Sequence, residues 1–109
     1  MLPIEIEVEN VKSLIDSDED FLLVDCRESM EREIALIKGA VHIPVGETVE
    51  RQSEMEPYRE KRIVILCHHG VRSLQVTHYL RSQGFEMAQN MTGGIDQWSD
   101  DIDTTLAKY

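Results

Sequence analysis

The chain has 109 residues, 41% hydrophobic and 29% charged, proportions that belong to a globular protein rather than to a disordered or membrane-spanning one. Such a length is about one ordinary domain, able to bury a core without disulfide or metal staples, and a single domain over residues 1–109 is expected. The net charge of -10 sets aside nonspecific nucleic-acid binding, which needs Lys and Arg to displace counterions from phosphates, and two cysteines are too few for a disulfide framework.

The opening MLPIEIEVEN lacks the basic segment and long apolar stretch of a secretory signal. No apolar run approaches the roughly 20 residues of a membrane span. A cytoplasmic setting with no membrane partner is therefore expected. Ile4, Ile6 and Val8 alternate with Glu5, Glu7 and Glu9, which predicts a half-buried edge strand. Asn10 is placed to cap a short helix carrying Val11, Leu14 and Ile15, which runs out in the turn-rich stretch from Asp16 to Asp20. The continuous apolar run FLLVDC, residues 21–26, predicts a strand covered on both faces, and IVILC, residues 63–67, predicts a second.

Between these strands a helix is expected from Ser29 to Ile37 and a short strand from Ala40 to Ile43. A loop opened by Pro44 then leads into a weakly periodic acidic helix that ends near Pro57. After Cys67 a loop precedes a helix from Arg72 to Gln83, with Val76, Tyr79 and Leu80 on one stripe and Gly84 suited to a left-handed closing residue. Phe85 to Met91 reads as the last strand, followed by a tight turn at Gly93 and Gly94 and a short helix in which Trp98 fills core. Alternation of strands and helices predicts an α/β sheet with helices on both faces. Acidic clusters at Glu5 to Glu9, Asp16 to Asp20, Glu47 to Glu56 and Asp96 to Asp103 read as a solvated surface.

The chemistry concentrates in IVILCHHGVRS, residues 63–73. Ligands of open α/β sheets bind at the carboxyl ends of the strands, where Cys67 falls. A sharp turn from strand to helix aims backbone N–H groups inward, and the helix adds the positive end of its dipole. A cysteine at the centre of such an anion-binding cup has a lowered pKa, and its thiolate is a nucleophile. Gly70 permits the turn, Arg72 adds charge, and Ser73 either donates into the cup or caps the helix.

Four segments now carry a resemblance: VDCRE at 24–28, KGAVHIP at 38–44, CHHGVRS at 67–73 and NMTGGIDQW at 90–98. In this order and spacing they resemble the successive signature segments of rhodanese domains, over nearly the whole chain. The resemblance implies a rhodanese-like α/β fold with a five-stranded, mainly parallel sheet flanked by helices. It implies a sulfurtransferase in which Cys67 takes sulfane sulfur from a small anionic donor such as thiosulfate, holds it as a persulfide, and passes it to cyanide or a protein thiol. The persulfide would be cradled by the N–H groups of His68, His69, Gly70, Val71, Arg72 and Ser73. Asp25 and Arg27 match a pair found near the family's active site. The residues themselves read this pair first as a strand-end pin for loops.

Double displacement at Cys67 needs no metal or organic cofactor. The fork of donors on Arg72 suits the donor's sulfonate oxygens. Cys26 ends a buried strand with no glycine turn after it and is read as a small packed residue rather than a resolving thiol. His68 and His69 offer ring chemistry as well as backbone amides, but adjacent Cys67, His68 and His69 converge poorly on one zinc ion, so no metal site is expected. His42 and His78 read as structural or surface residues. Two other functions share parts of this pattern. A cysteine phosphatase or arsenate reductase has a similar cup but needs one more residue before its arginine, which would fall at Ser73. A noncatalytic binding module of the same fold has no need to keep both Cys67 and Arg72.

Overall fold

A computed structural model describes residues 2–109. Five strands form one sheet: β1 (Glu5–Ile6), β2 (Leu22–Asp25), β3 (Val41–His42), β4 (Ile63–Leu66) and β5 (Ala88–Met91). Their order across the sheet is β1-β5-β4-β2-β3, and each neighbouring pair is parallel. The helices are α1 (Val8–Asp16), α2 (Ser29–Ile34), α3 (Val71–Ser82) and α4 (Gly94–Asp101). Among the described residues no helix is long and apolar enough to cross a membrane.

The continuous apolar runs become the central strands because alternate side chains feed two separate cores. Leu23, Val64, Leu66 and Met91 face one layer, with Val8 and Val11 of α1 and Ile95 and Trp98 of α4. Val24, Ile63, Ile65 and Ala88 face the other, with Val76 and Leu80 of α3 and with Met55 and Phe85. All four residues of β4 are buried, as expected of the middle strand. On α3, Ser73, Val76, Thr77 and Leu80 form the buried stripe, and Trp98 is 5% exposed.

Several boundaries differ from the sequence reading. The first strand stops at Ile6, where its last ladder contact, Thr92 N–H to the Ile6 carbonyl at 3.0 Å, is made. Val8 opens α1 instead, because Val8 and Val11 lie on one helical face and both are buried. Asn10 therefore sits inside the first turn rather than capping the helix. Helix α2 ends at Ile34, not Ile37, as Ala35 becomes extended and points into the core together with Ile37. The acidic stretch after Pro44 is two short 3-10 segments, Val45–Glu47 and Gln52–Tyr58, with Pro57 inside the second. Strand β5 begins at Ala88, since Phe85 instead closes a turn by accepting the Ala88 N–H at 3.2 Å.

Candidate active site

Strand β4 carries Cys67 to the carboxyl edge of the sheet, and the chain turns through residues 68–70 into α3. Gly70 takes φ +101°, a left-handed conformation in which a side chain would be strained. The loop carbonyls are held away from the cup by the start of α4: Ile95 N–H donates to the Cys67 carbonyl at 2.9 Å and Asp96 N–H to the His68 carbonyl at 3.1 Å. With these carbonyls engaged behind it, the turn presents amides to the sulfur. Gly70 N–H reaches Cys67 Sγ at 3.1 Å, Ser73 N–H at 3.4 Å, and the Ser73 hydroxyl lies 3.2 Å away.

Cys67 itself is 1% exposed. Burial alone would keep such a thiol protonated. The polar neighbours win: the adjacent Cys26 thiol lowers the Cys67 pKa most, burial opposes, and the Ser73 and Gly70 donors add to the effect, bringing it down to about 4. Cys26 moves the other way, held protonated by its hydrogen bond to Cys67 and by burial. The two cysteines are thus driven in opposite directions, Cys67 toward the thiolate and Cys26 toward the thiol.

The side chains of the loop point in different directions. The Gly70 and Ser73 amides contact the sulfur directly, and Val71 is 69% exposed. The guanidinium of Arg72 is bound bidentately by Glu31, with both contacts at 2.8 Å, rather than lying open for a ligand. His68 stacks on His69, ring centroids 3.8 Å apart, and on Tyr109 at the same distance and 7° from coplanar. Burial lowers the pKa of His68, and the adjacent His69 acts in the same direction. His69 Nε2 lies 4.0 Å from an Asp96 carboxylate oxygen.

Asp25 and Arg27 are fully buried and paired through Arg27 Nη2 and Asp25 Oδ2 at 2.8 Å. The other donors of Arg27 reach the Ala35 carbonyl at 2.7 Å, the Glu31 carbonyl at 3.2 Å and the Tyr109 hydroxyl at 2.8 Å. This pair fixes the turn from β2 into α2 and, through it, the backbone carrying Glu31. The pinning role read from the residues matches these contacts. His42 adds to the same turn through Nε2, 2.6 Å from the Arg27 carbonyl oxygen.

Three participants escaped the sequence reading. Asn90 Oδ1 takes a short hydrogen bond from the Ser73 hydroxyl, while its Nδ2 donates to the Gly70 carbonyl at 3.1 Å and to the Glu5 carboxylate. One side chain thereby ties both sulfur-facing residues to strand β5. A buried Asn in the interior of a strand was its available signal. Glu31 is the reciprocal capping residue of α2 as well as the partner of Arg72, and only the first role leaves a trace in sequence. Tyr109, 78 residues from Glu31, hydrogen-bonds it at 3.0 Å, and no local pattern announces that contact.

A parallel α/β sheet with a buried cysteine at its carboxyl edge, faced by amides of the following turn and helix, is the class of protein that these observations define. The family model for the rhodanese-like domain matches residues 7–101, and the chain belongs to the rhodanese-like sulfurtransferase family. It is 36% identical over 94 residues to "Putative sulfurtransferase YtwF" of Bacillus subtilis (strain 168), covering 86% of this chain and 88% of that protein. It is 40% identical over 95 residues to "Putative sulfur carrier protein YrkF" of the same organism, where the match covers 87% of this chain and half of the relative (50%). The structure of the human single domain sulfurtransferase TSTD1 superposes with a TM-score of 0.77 at 26% identity, covering 92% of this chain and 98% of that one.

Proposed function

We propose that this chain acts as a single-domain sulfurtransferase in which Cys67 is the nucleophile and the carrier of sulfur. The observation that carries the reading is the cup itself: a buried Cys67 sulfur faced by the Gly70 and Ser73 N–H groups at 3.1 and 3.4 Å, donors that lower its pKa and favour the thiolate. With thiosulfate as donor, Cys67 attacks the outer sulfane sulfur, the new S–S bond forms as the old one breaks, and sulfite leaves with the electron pair. The product is Cys67–S–S⁻, whose terminal sulfur is then taken by a thiophilic acceptor such as cyanide or a protein thiol. That second attack regenerates the Cys67 thiolate. A covalent intermediate divides one difficult transfer into two.

The resemblance of the relatives named for sulfur transfer and sulfur carriage supports this reading. The Glu31 ion pair modifies the role expected of Arg72. Its fork is filled, so binding of a sulfonate at that fork requires exchange of the carboxylate for the ligand, and the loop amides remain the donors already facing the reacting sulfur. Incubating the reduced protein with thiosulfate and measuring its intact mass should show one added sulfur atom, which cyanide then removes as thiocyanate. Cys67→Ser should show neither change. A folded Cys67→Ser variant that still turned over would refute the assignment.

A further inference from the structure

Cys26 enters the site only as a hydrogen-bond donor, but its position in the sheet allows more. Strands β2 and β4 are parallel neighbours with Val24 opposite Ile65 and Asp25 opposite Leu66. The ladder continues one step further, where Cys26 N–H donates to the Leu66 carbonyl at 3.0 Å. Cys26 and Cys67 therefore stand next in register, and both side chains lie in the same core cluster on the same face of the sheet. Neighbouring strands run about 4.8 Å apart. A disulfide spans Cα separations of about 4.4–6.8 Å, so the two cysteines are within bonding reach with little backbone movement.

Resting on the sulfurtransferase reading above, we propose that Cys26 is a resolving thiol that attacks the inner sulfur of a Cys67 persulfide, expels the outer sulfur as hydrosulfide, and leaves a Cys26–Cys67 disulfide. The step is Cys67–S–S⁻ plus Cys26–SH giving Cys67–S–S–Cys26 plus HS⁻. The bond between the two cysteine sulfurs forms, the persulfide S–S bond breaks, and the Cys26 proton departs with the outer sulfur. That outer sulfur is reduced from the sulfane to the sulfide level while the cysteine pair is oxidised. The persulfide is itself the oxidant, so no other is required. A dithiol reductant returns the pair to its starting state by ordinary exchange.

Burial selects which sulfur each nucleophile reaches. Cys67 is 1% and Cys26 0% exposed, so an external thiol approaches the outer sulfur in the cup while Cys26 faces the inner one from the neighbouring strand. Charge sets the timing. Before loading, the Cys67 thiolate keeps Cys26 protonated, and a protonated thiol is a poor nucleophile. Loading moves the negative charge to the outer sulfur, one bond further from Cys26, and the restraint on its ionisation weakens. An acceptor that arrives promptly takes the sulfur; a persulfide left waiting is discharged internally.

The test uses the wild-type chain, Cys26→Ser and Cys26→Ala, each fully reduced, desalted without oxygen and given thiosulfate with no acceptor. The serine variant retains a donor to the Cys67 sulfur but cannot form the disulfide. The alanine variant guards against any disturbance from the hydroxyl. Wild type should pass through the mass of one added sulfur to a mass two hydrogens below that of the reduced chain, with one sulfide released per disulfide formed. Loss of the Cys26 thiol should slow loading, most in Cys26→Ala, so persulfide lifetime is read per sulfur gained: in both variants each added sulfur should stay in place with no sulfide released. A wild-type persulfide as long-lived as that of Cys26→Ser, or an added sulfur found on Cys26, would overturn the inference and leave the transfer reading standing. Failure of all three proteins to gain sulfur would overturn both.

Discussion

Arg27 and Arg72 have the same charge and lie near the same site, but their surroundings assign them different work. Arg27 is fully buried and neutralised by Asp25, and breaking such a pair leaves an uncompensated buried charge. Arg72 is partly exposed and held by Glu31, whose carboxyl it lowers from 4.5 to about 2. A carboxyl whose pKa is lower in the folded state stabilises the fold above its unfolded pKa, and that contribution disappears as pH falls through the folded value. The expected outcome is that wild type exceeds Glu31→Gln in Tm at neutral pH and that the gap closes between pH 4.5 and about 2. A gap unchanged across that window would show that the pair adds nothing to stability. Cys67 was legible in sequence because a strand, a glycine turn and a helix are contiguous around it. Glu31 and Asn90 were not, since each acts on the loop from another element, 41 residues from Arg72 in one case and 17 from Ser73 in the other.

At the scale of elements, the cup depends on how α4 begins as much as on the loop. The first amides of α4 hold the Cys67 and His68 carbonyls. Gly94 lies at that contact with φ +60°, and a β-carbon there would meet the Cys67 carbonyl oxygen and come within 2.5 Å of the His68 carbonyl oxygen. Both obstacles are backbone of the Cys67 loop, which cannot yield without moving the amides around the sulfur. Gly94→Ala should therefore destabilise the fold by about 1–3 kcal/mol, the usual cost of overpacking or a strained φ, and should slow sulfur loading in the fraction that remains folded. Gly46→Ala provides the comparison, because a β-carbon there meets nothing within 4 Å. Equal thermal stability and equal loading rates in the two variants would refute this account. The sequence disclosed the two central strands and α3 well, since their apolar runs are continuous or periodic enough to choose one structure. It misplaced the start of α1 because Ile4, Ile6 and Val8 fit a period of two while Val8 and Val11 also fit a helix. Pairing of Ile4 and Ile6 with β5 decides between them, and that pairing joins residues more than 80 apart.

For the molecule as a whole, the net charge of -10 meets a site whose three nearby arginines, Arg27, Arg32 and Arg72, are already paired with the Asp25 and Glu31 carboxylates. Thiosulfate, a dianion, is therefore repelled on approach by the overall field and attracted at contact by the loop amides and the helix dipole. These forces differ in range. Salt screens exposed charges over about 8 Å at physiological ionic strength, whereas hydrogen bonds to a buried sulfur act within the cup and are screened far less. Pairing of Arg72 with Glu31 makes the contrast sharper than a free arginine would, because the ion pair supplies little long-range attraction to offset the acidic surface. The expected result is a modest rise in kcat/KM for thiosulfate as an inert salt is raised from low to physiological ionic strength, with little change for an uncharged sulfur donor. Steady-state kinetics with both donors would measure it, with the salt's anion tested separately for competition in the cup. Glu31→Gln, by leaving Arg72 as an unpaired cation beside the loop, should reduce that rise or reverse its sign. A steep fall for wild type with thiosulfate alone, in the absence of anion competition, would mean that local positive charge governs the encounter and that the Arg72–Glu31 pair opens before the donor arrives.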